Sequence, residues 1–162
     1  MNIEQYKNLI EISFPYLFNQ FNYKLVFKEQ EGLYKLHVGL ASTDHQARFF
    51  FVKESGGGGA PLIGPSNASF YTIYHEEWIG LVPLLYFLGA EPIRWEKADL
   101  KPDEFEQAHE DLLMISDRVE PRVEQVLDMF KSDDSIQQWK PTFNEFLEKR
   151  SWADSIERGD WF

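Results

Sequence analysis

The chain reads as an α+β protein: an antiparallel sheet of four to five strands, opening with an N-terminal meander, and C-terminal helices packed on one face. Three observations predict this. Residues 23–53 alternate apolar and polar side chains with the two-residue period of half-buried strands. Beyond residue 102, apolar positions recur at three- and four-residue intervals, the mark of amphipathic helices. Strands precede helices instead of alternating with them, which separates this layout from a parallel α/β one.

The elements follow in order. Ile3, Tyr6, Leu9 and Ile10 fall at helical spacing behind Asn2, a good capping residue, and Phe14, Leu17, Phe18 and Phe21 continue the pattern. Pro15 interrupts it, so a short helix, a bend and another turn or two are expected. Tyr23, Leu25 and Phe27 then share one strand face, with Lys24, Val26 and Lys28 on the other. Glu29 to Gly32 supplies a turn. Tyr34, Leu36, Val38 and Leu40 alternate with Lys35, His37 and Gly39, the cleanest strand signal in the chain. After a turn at Ser42 to His45, Ala47, Phe49 and Phe51 oppose Arg48, Phe50 and Val52. This third strand is apolar on both faces and should be covered on both.

Ser55 to Asn67 is expected to be a mobile loop, because it contains Gly56 to Gly59, Pro61, Gly64 and Pro65. Phe70 to His75 reads as a fourth strand. Trp78 to Leu88 reads as a buried helix closed by Gly89, with strand the alternative for part of it, since Pro83 would kink a helix. Ile93 to Glu96 is expected as a short edge strand. A helix opens near Pro102, where Asp103 and Glu104 suit its N-terminal dipole end. Phe105, Ala108, Leu112, Ile115, Val119 and Val126 form its seam, and Pro121 must kink or split it. Another begins near Asp133 and carries Ile136, Trp139, Phe143, Phe146 and Leu147, with Pro141 disturbing it. A last turn or two follows Ser151.

The length of 162 residues predicts a single domain spanning 1–162. Aromatics at 16% predict a core heavy in Phe, Tyr and Trp. The absence of cysteine excludes a disulfide framework, a thiol nucleophile and Cys-ligated metal. The N-terminus shows no basic-then-apolar signal, and the apolar stretch Trp78 to Ala90 falls short of the roughly 20 residues of a membrane span. A cytoplasmic protein without membrane contact is the expectation.

The net charge of −11 is uneven. Residues 1–53 carry six Lys and Arg against five Asp and Glu, whereas residues 101–162 carry eight against sixteen. A negative surface repels phosphate backbones and favours basic partners, so nucleic-acid binding is not expected. Solubility is the plainer use of the same charge.

Catalytic patterns are weak. His37 lies on the polar side of a strand and His45 in a turn beside Asp44. Glu106 and His109 form half of a di-metal Glu-x-x-His pattern whose second half is missing. The glycine run lacks the ending of a phosphate loop and the dinucleotide fingerprint, and no Gly-x-Ser-x-Gly elbow occurs. No catalytic residue, metal site or cofactor is therefore assigned, and the reading leans away from an enzyme.

Two function classes stay open. In the first, the chain is a small acidic protein-interaction domain that binds a basic protein partner through Asp103, Glu106, Glu110, Asp111, Asp117 and Glu124. Its composition resembles that of immunity proteins that neutralise bacterial toxins; the likeness covers no motif and implies an inhibitor-like role. In the second, it is a small-molecule-binding protein or hydrolase with a site under the Gly56–Asn67 loop, lined by Tyr71, His75, Glu76 and Trp78. A monomer or a homodimer fits either, the helical seam serving as core or as a coiled-coil dimer face. Trp161 and Phe162 either dock onto the domain or bind something else.

Overall fold

The computed structural model describes residues 1–54, 57–71, 77–95 and 103–149. It is an α+β fold. Five strands lie in the order β1-β2-β3-β4-β5 with every neighbouring pair antiparallel. They are β1 (Tyr23–Glu31), β2 (Lys35–Ser42), β3 (Arg48–Lys53), β4 (Ala60–Gly64) and β5 (Ile79–Gly80).

Residues paired across the sheet share a face, so the register sorts the side chains. Leu36, Val38 and Leu40 of β2, Phe49 and Phe51 of β3 and Ile63 of β4 all point to the main core. All the described helices lie on that side. Helices α1 (Ile3–Ser13) and α2 (Pro15–Asn19) bring Tyr6, Leu9, Ile10, Phe14 and Leu17. Helix α3 (Leu81–Phe87) brings Leu84 and Leu85. Helix α4 (Glu104–Val119) brings Ala108, Leu112, Ile115 and Val119, so these positions of the seam expected as core or dimer face are buried within the chain, whereas Phe105 at its start is 38% exposed. A 3-10 turn at Glu120–Arg122 separates α4 from α5 (Val123–Met129), where Pro121 cannot continue the hydrogen-bond ladder. Helix α6 (Asp133–Lys149) closes the described chain and runs unbroken through Pro141. Pro141 and Gln137 are both exposed, so water can satisfy the carbonyl that proline leaves unpaired.

The opposite face has its own small core. Phe50 and Val52 of β3 are covered by Ala68, Phe70 and Trp78, with Phe27 and Leu62 packed against them. Coverage of β3 on both faces matches its two-sided apolar pattern. Gly39 is required here: a β-carbon on it would lie 2.7 Å from the Phe70 ring.

Several expected elements differ. The pairing of β1 slips at Val26, so Leu25 faces the main core opposite Leu40 while Phe27 faces the second core opposite Gly39. A bulge adds one residue and inverts the alternation beyond it, which apolar spacing alone does not reveal. The strand also continues through Glu31, past the expected turn. The expected loop 55–67 contains β4, because the edge of β3 pairs Ala60 to Gly64 despite Pro61. Phe70 and Tyr71 lie in a turn, and residues 72–76 of the expected fourth strand lie outside the described residues. Trp78 to Leu88 divides into β5 and α3, and Gly89 ends α3 with φ +87°. No strand forms over 93–95. The Ile93 amide donates to Tyr86 Oη at 2.9 Å, and Arg118 takes the carbonyls of Glu91 and Pro92, so side chains occupy backbone groups that a ladder would need.

Candidate functional site

Helices α4 and α5 carry the candidate partner-binding residues. Asp103 caps α4 and accepts from the amides of Phe105 and Glu106 at 2.7 and 3.1 Å. Glu106, Asp117 and Glu124 are exposed, while Glu110 is half-buried. Asp111 departs from expectation. Its side is turned inward, and it is 8% exposed. Asp111 Oδ2 accepts from the Gly58 amide at 2.8 Å, and Oδ1 accepts from Gln107 Nε2 at 2.9 Å. Burial raises its pKa above the usual aspartate value, partly opposed by the hydrogen bonds from Gly58 and Gln107. Asp111 is thus a structural clamp and not a surface contact.

The same clamp explains Gly57 to Gly59. The Gly58 carbonyl accepts from Tyr6 Oη at 2.8 Å, so α1 and α4 hold one residue from opposite sides. A β-carbon on Gly57 would come 2.6 Å from Asp111 Oδ2, and one on Gly59 would come 2.5 Å from the Val52 carbonyl. Gly57 and Gly59 also have φ of +79° and +86°. Gly57 and Gly59 serve close backbone approach and left-handed geometry. Beside them Lys53, only 2% exposed, reaches Glu104 at 3.0 Å. The hydrogen bond from Lys53, and a second from the Met1 amino group, lower the pKa of Glu104.

Of the candidate ligand residues, Tyr71 and Trp78 lie within the described residues, and Trp78 packs beside Gly64 of the loop. Tyr71 is 87% exposed and touches Phe27 edge-on. Trp78 is buried on the second face, its Nε1 donating to the Ser69 carbonyl at 2.7 Å. Gly57 to Gly59 lie instead against Tyr6 and Asp111. His75 and Glu76 lie outside the described residues. Of the other histidines, His37 sits 3.5 Å from Glu54 and 3.9 Å from Glu29, with its ring edge-on to Phe50. His109 is half-buried. Among the described residues no three His, Asp or Glu side chains are placed to hold a metal ion. Among them, too, no helix is long and apolar enough to cross a membrane.

Charge on the helical side is largely uncompensated. Glu106, Asp117, Glu120, Glu124, Asp133, Asp134, Glu145 and Glu148 form no ion pair among the described residues. Bases of the same region are partly occupied. Arg118 donates to three carbonyls, Arg122 to the Arg118 carbonyl, and Lys131 pairs with Asp128 at 3.2 Å.

Two hollows flank the corner between α5 and α6, and sequence reasoning missed both because each joins distant segments. One, of about 320 Å³, lies between α6 and the residues Pro65, Asn67, Glu77 and Ile79, with Ile79, Phe130 and Ile136 as apolar lining and Glu77, Asp133 and Lys140 as charged lining. The other, of about 330 Å³, lies between Phe21 and His45 on one side and Glu124, Leu127, Asp128 and Lys131 on the other. No protein-family model, no curated protein and no solved structure matches the chain.

Proposed function

We propose that the chain is a protein-interaction domain whose carboxylate-rich helical side receives a basic protein partner, in the manner of an inhibitor or immunity protein. One observation carries this: Glu106, Asp117, Glu120 and Glu124 stand exposed along α4 and α5 with no ion pair among the described residues. Unpaired surface charge of one sign steers an oppositely charged partner and raises its association rate more than its final affinity. Solubility alone would be served by acids scattered over the whole surface, whereas residues 1–53 are almost balanced. The reading places the domain in the cytoplasm.

The test is capture from a lysate of the source cell at low and moderate salt, by the wild type and by a variant with Glu106, Asp117, Glu120 and Glu124 changed to Gln. The expected result is a basic protein, held less well as salt rises and lost with the variant. Recovery of no protein, or of proteins indifferent to both salt and variant, overturns the reading.

A second reading rests on the hollow between α6 and Pro65, Asn67, Glu77 and Ile79. Its apolar lining and mixed charges suit a small amphiphilic molecule, at the far end of the segment expected to cover a ligand. A thermal-shift screen of small amines, acids and amino acids tests it, and no stabiliser would remove it.

A further inference from the structure

We propose that the hollow between Phe21, His45 and α5 is an anchor site for one arginine side chain of the basic partner, a refinement that rests on the reading above. Three features meet there. The first is shape: about 330 Å³ is at the low end for a small-ligand site, suited to one long side chain and not to a folded element.

The second feature is ring surface. Phe21 and His45 lie 5.7 Å apart with planes tilted by 57°. His45 in turn stacks on Tyr23 at 6.2 Å and 6°. Tyr23 is itself fixed, because its hydroxyl donates to the Ala47 carbonyl at 2.7 Å. The aromatic wall is therefore anchored to the sheet and needs little ordering on binding. A guanidinium stacks on such rings more readily than an ammonium does, being planar and weakly hydrated.

The third feature is an available carboxylate. Glu124, Leu127 and Asp128 are spaced i, i+3 and i+4 on α5, which sets them on one side of the helix. Asp128 is engaged by Lys131 at 3.2 Å, which also offsets the positive charge of Lys131 in the lining. Glu124 has no ion pair among the described residues, is exposed and lines the hollow. A carboxylate beside a ring wall matches a planar guanidinium with two parallel donors. Leu127, otherwise packed in the core, lines the hollow and gives the methylene stem an apolar floor. Arginine anchors that fill a partner's pocket are a common source of concentrated binding energy.

The experiment titrates the full chain with N-acetyl-arginine amide, N-acetyl-lysine amide and N-acetyl-leucine amide while amide NMR shifts are recorded. The arginine probe is expected to saturate, with shifts confined to residues around Phe21, His45, Glu124, Leu127 and Asp128. Glu124→Gln should weaken it about tenfold, the scale of one charge-assisted hydrogen bond. Glu106→Gln, away from the hollow, should leave it unchanged. A linear drift across all the acidic helices, equal response to the lysine probe, or indifference to Glu124→Gln overturns the proposal.

The two levels fail separately. If a basic partner is captured equally by wild type and Glu124→Gln, the anchor is wrong and the acidic-face reading survives. If the arginine probe binds in the hollow but no basic partner is captured, the guanidinium site stands and the acidic-face reading falls.

Discussion

The sheet and its N-terminal helices treat charge differently from the C-terminal helices. In the first region cations and acids find each other: Lys28 with Glu4, Lys35 with Glu31 and Lys7 with Glu11, while Lys53 of β3 reaches across to Glu104 of α4. In the second, eight carboxylates of α4, α5, α6 and the intervening 3-10 turn form no ion pair among the described residues. Both regions share one apolar core, so the difference is not one of burial. The surplus negative charge is therefore concentrated on one face, the face through which we propose that a partner binds.

The largest expected effect breaks the junction between the two regions. Gly57→Ala forces a side chain into left-handed backbone and against the Asp111 carboxylate of α4. Strain and overpacking together should cost about 3 kcal/mol. Gly89→Ala shares the positive φ but has open space around it, so it should cost only about 1 kcal/mol. Urea unfolding of both variants checks the ratio, and equal losses would show that contact across the junction is unimportant.

Next comes the ion pair that joins the regions. Glu104→Gln leaves the buried Lys53 ammonium without its 3.0 Å carboxylate and should cost about 1–2 kcal/mol, less than for a fully buried pair because Glu104 is half exposed. The sign with pH follows from a lowered pKa. Folding favours the ionised form, so the contribution is complete above the ordinary carboxylate value and disappears as pH falls through the lowered folded value. Wild type and variant should therefore converge in stability on acidification.

Asp111 has the opposite linkage. Its folded pKa is raised, so the folded state keeps the proton to higher pH than the unfolded state does. Stability attributable to Asp111 should be greatest below the ordinary aspartate value. It should decline as pH rises to the folded value and stay constant above that. Asp111→Asn retains an acceptor for the Gly58 amide and removes this slope. The difference in urea midpoint between wild type and Asp111→Asn should shift in the variant's favour as pH rises from about 4 to about 7.

The smallest effects sharpen the comparison itself. Asp117→Lys on the unpaired side should raise stability by a few tenths of a kcal/mol at low salt, by relieving repulsion from like charges. Glu4→Gln on the paired side should lower it slightly, because it breaks the contact with Lys28. Added salt should shrink both changes. Identical signs would mean that the two regions do not differ as described.

Legibility in the sequence followed periodicity. Strands β2 and β3 were readable because strict alternation has one structural explanation, and α4 because its seam recurs at Ala108, Leu112, Ile115 and Val119. Strand β1 was readable but its facing was not, since a bulge at Val26 leaves the apolar spacing intact. Strand β4 was hidden by Pro61 and Gly64, whose turn chemistry outweighs propensity until β3 offers a pairing edge. The acidic face was legible in outline. That Asp111 leaves it was not, because one aspartate among thirteen acids in residues 103–149 looks like any other until a backbone amide is seen against it.

What the amino-acid order determined by itself was local: which stretches alternate, which spiral, where proline splits α4 from α5, and which part of the chain carries surplus negative charge. These depend on neighbours a few residues away. What only the tertiary structure decided were long-range juxtapositions: Gly58 between Tyr6 and Asp111, Lys53 beside Glu104, and Phe21 and His45 facing Glu124 across a hollow. Those pairs are 51 to 103 residues apart along the chain. Their meeting depends on how whole elements pack, and a bulge or a paired edge can redirect that packing without leaving a local signal.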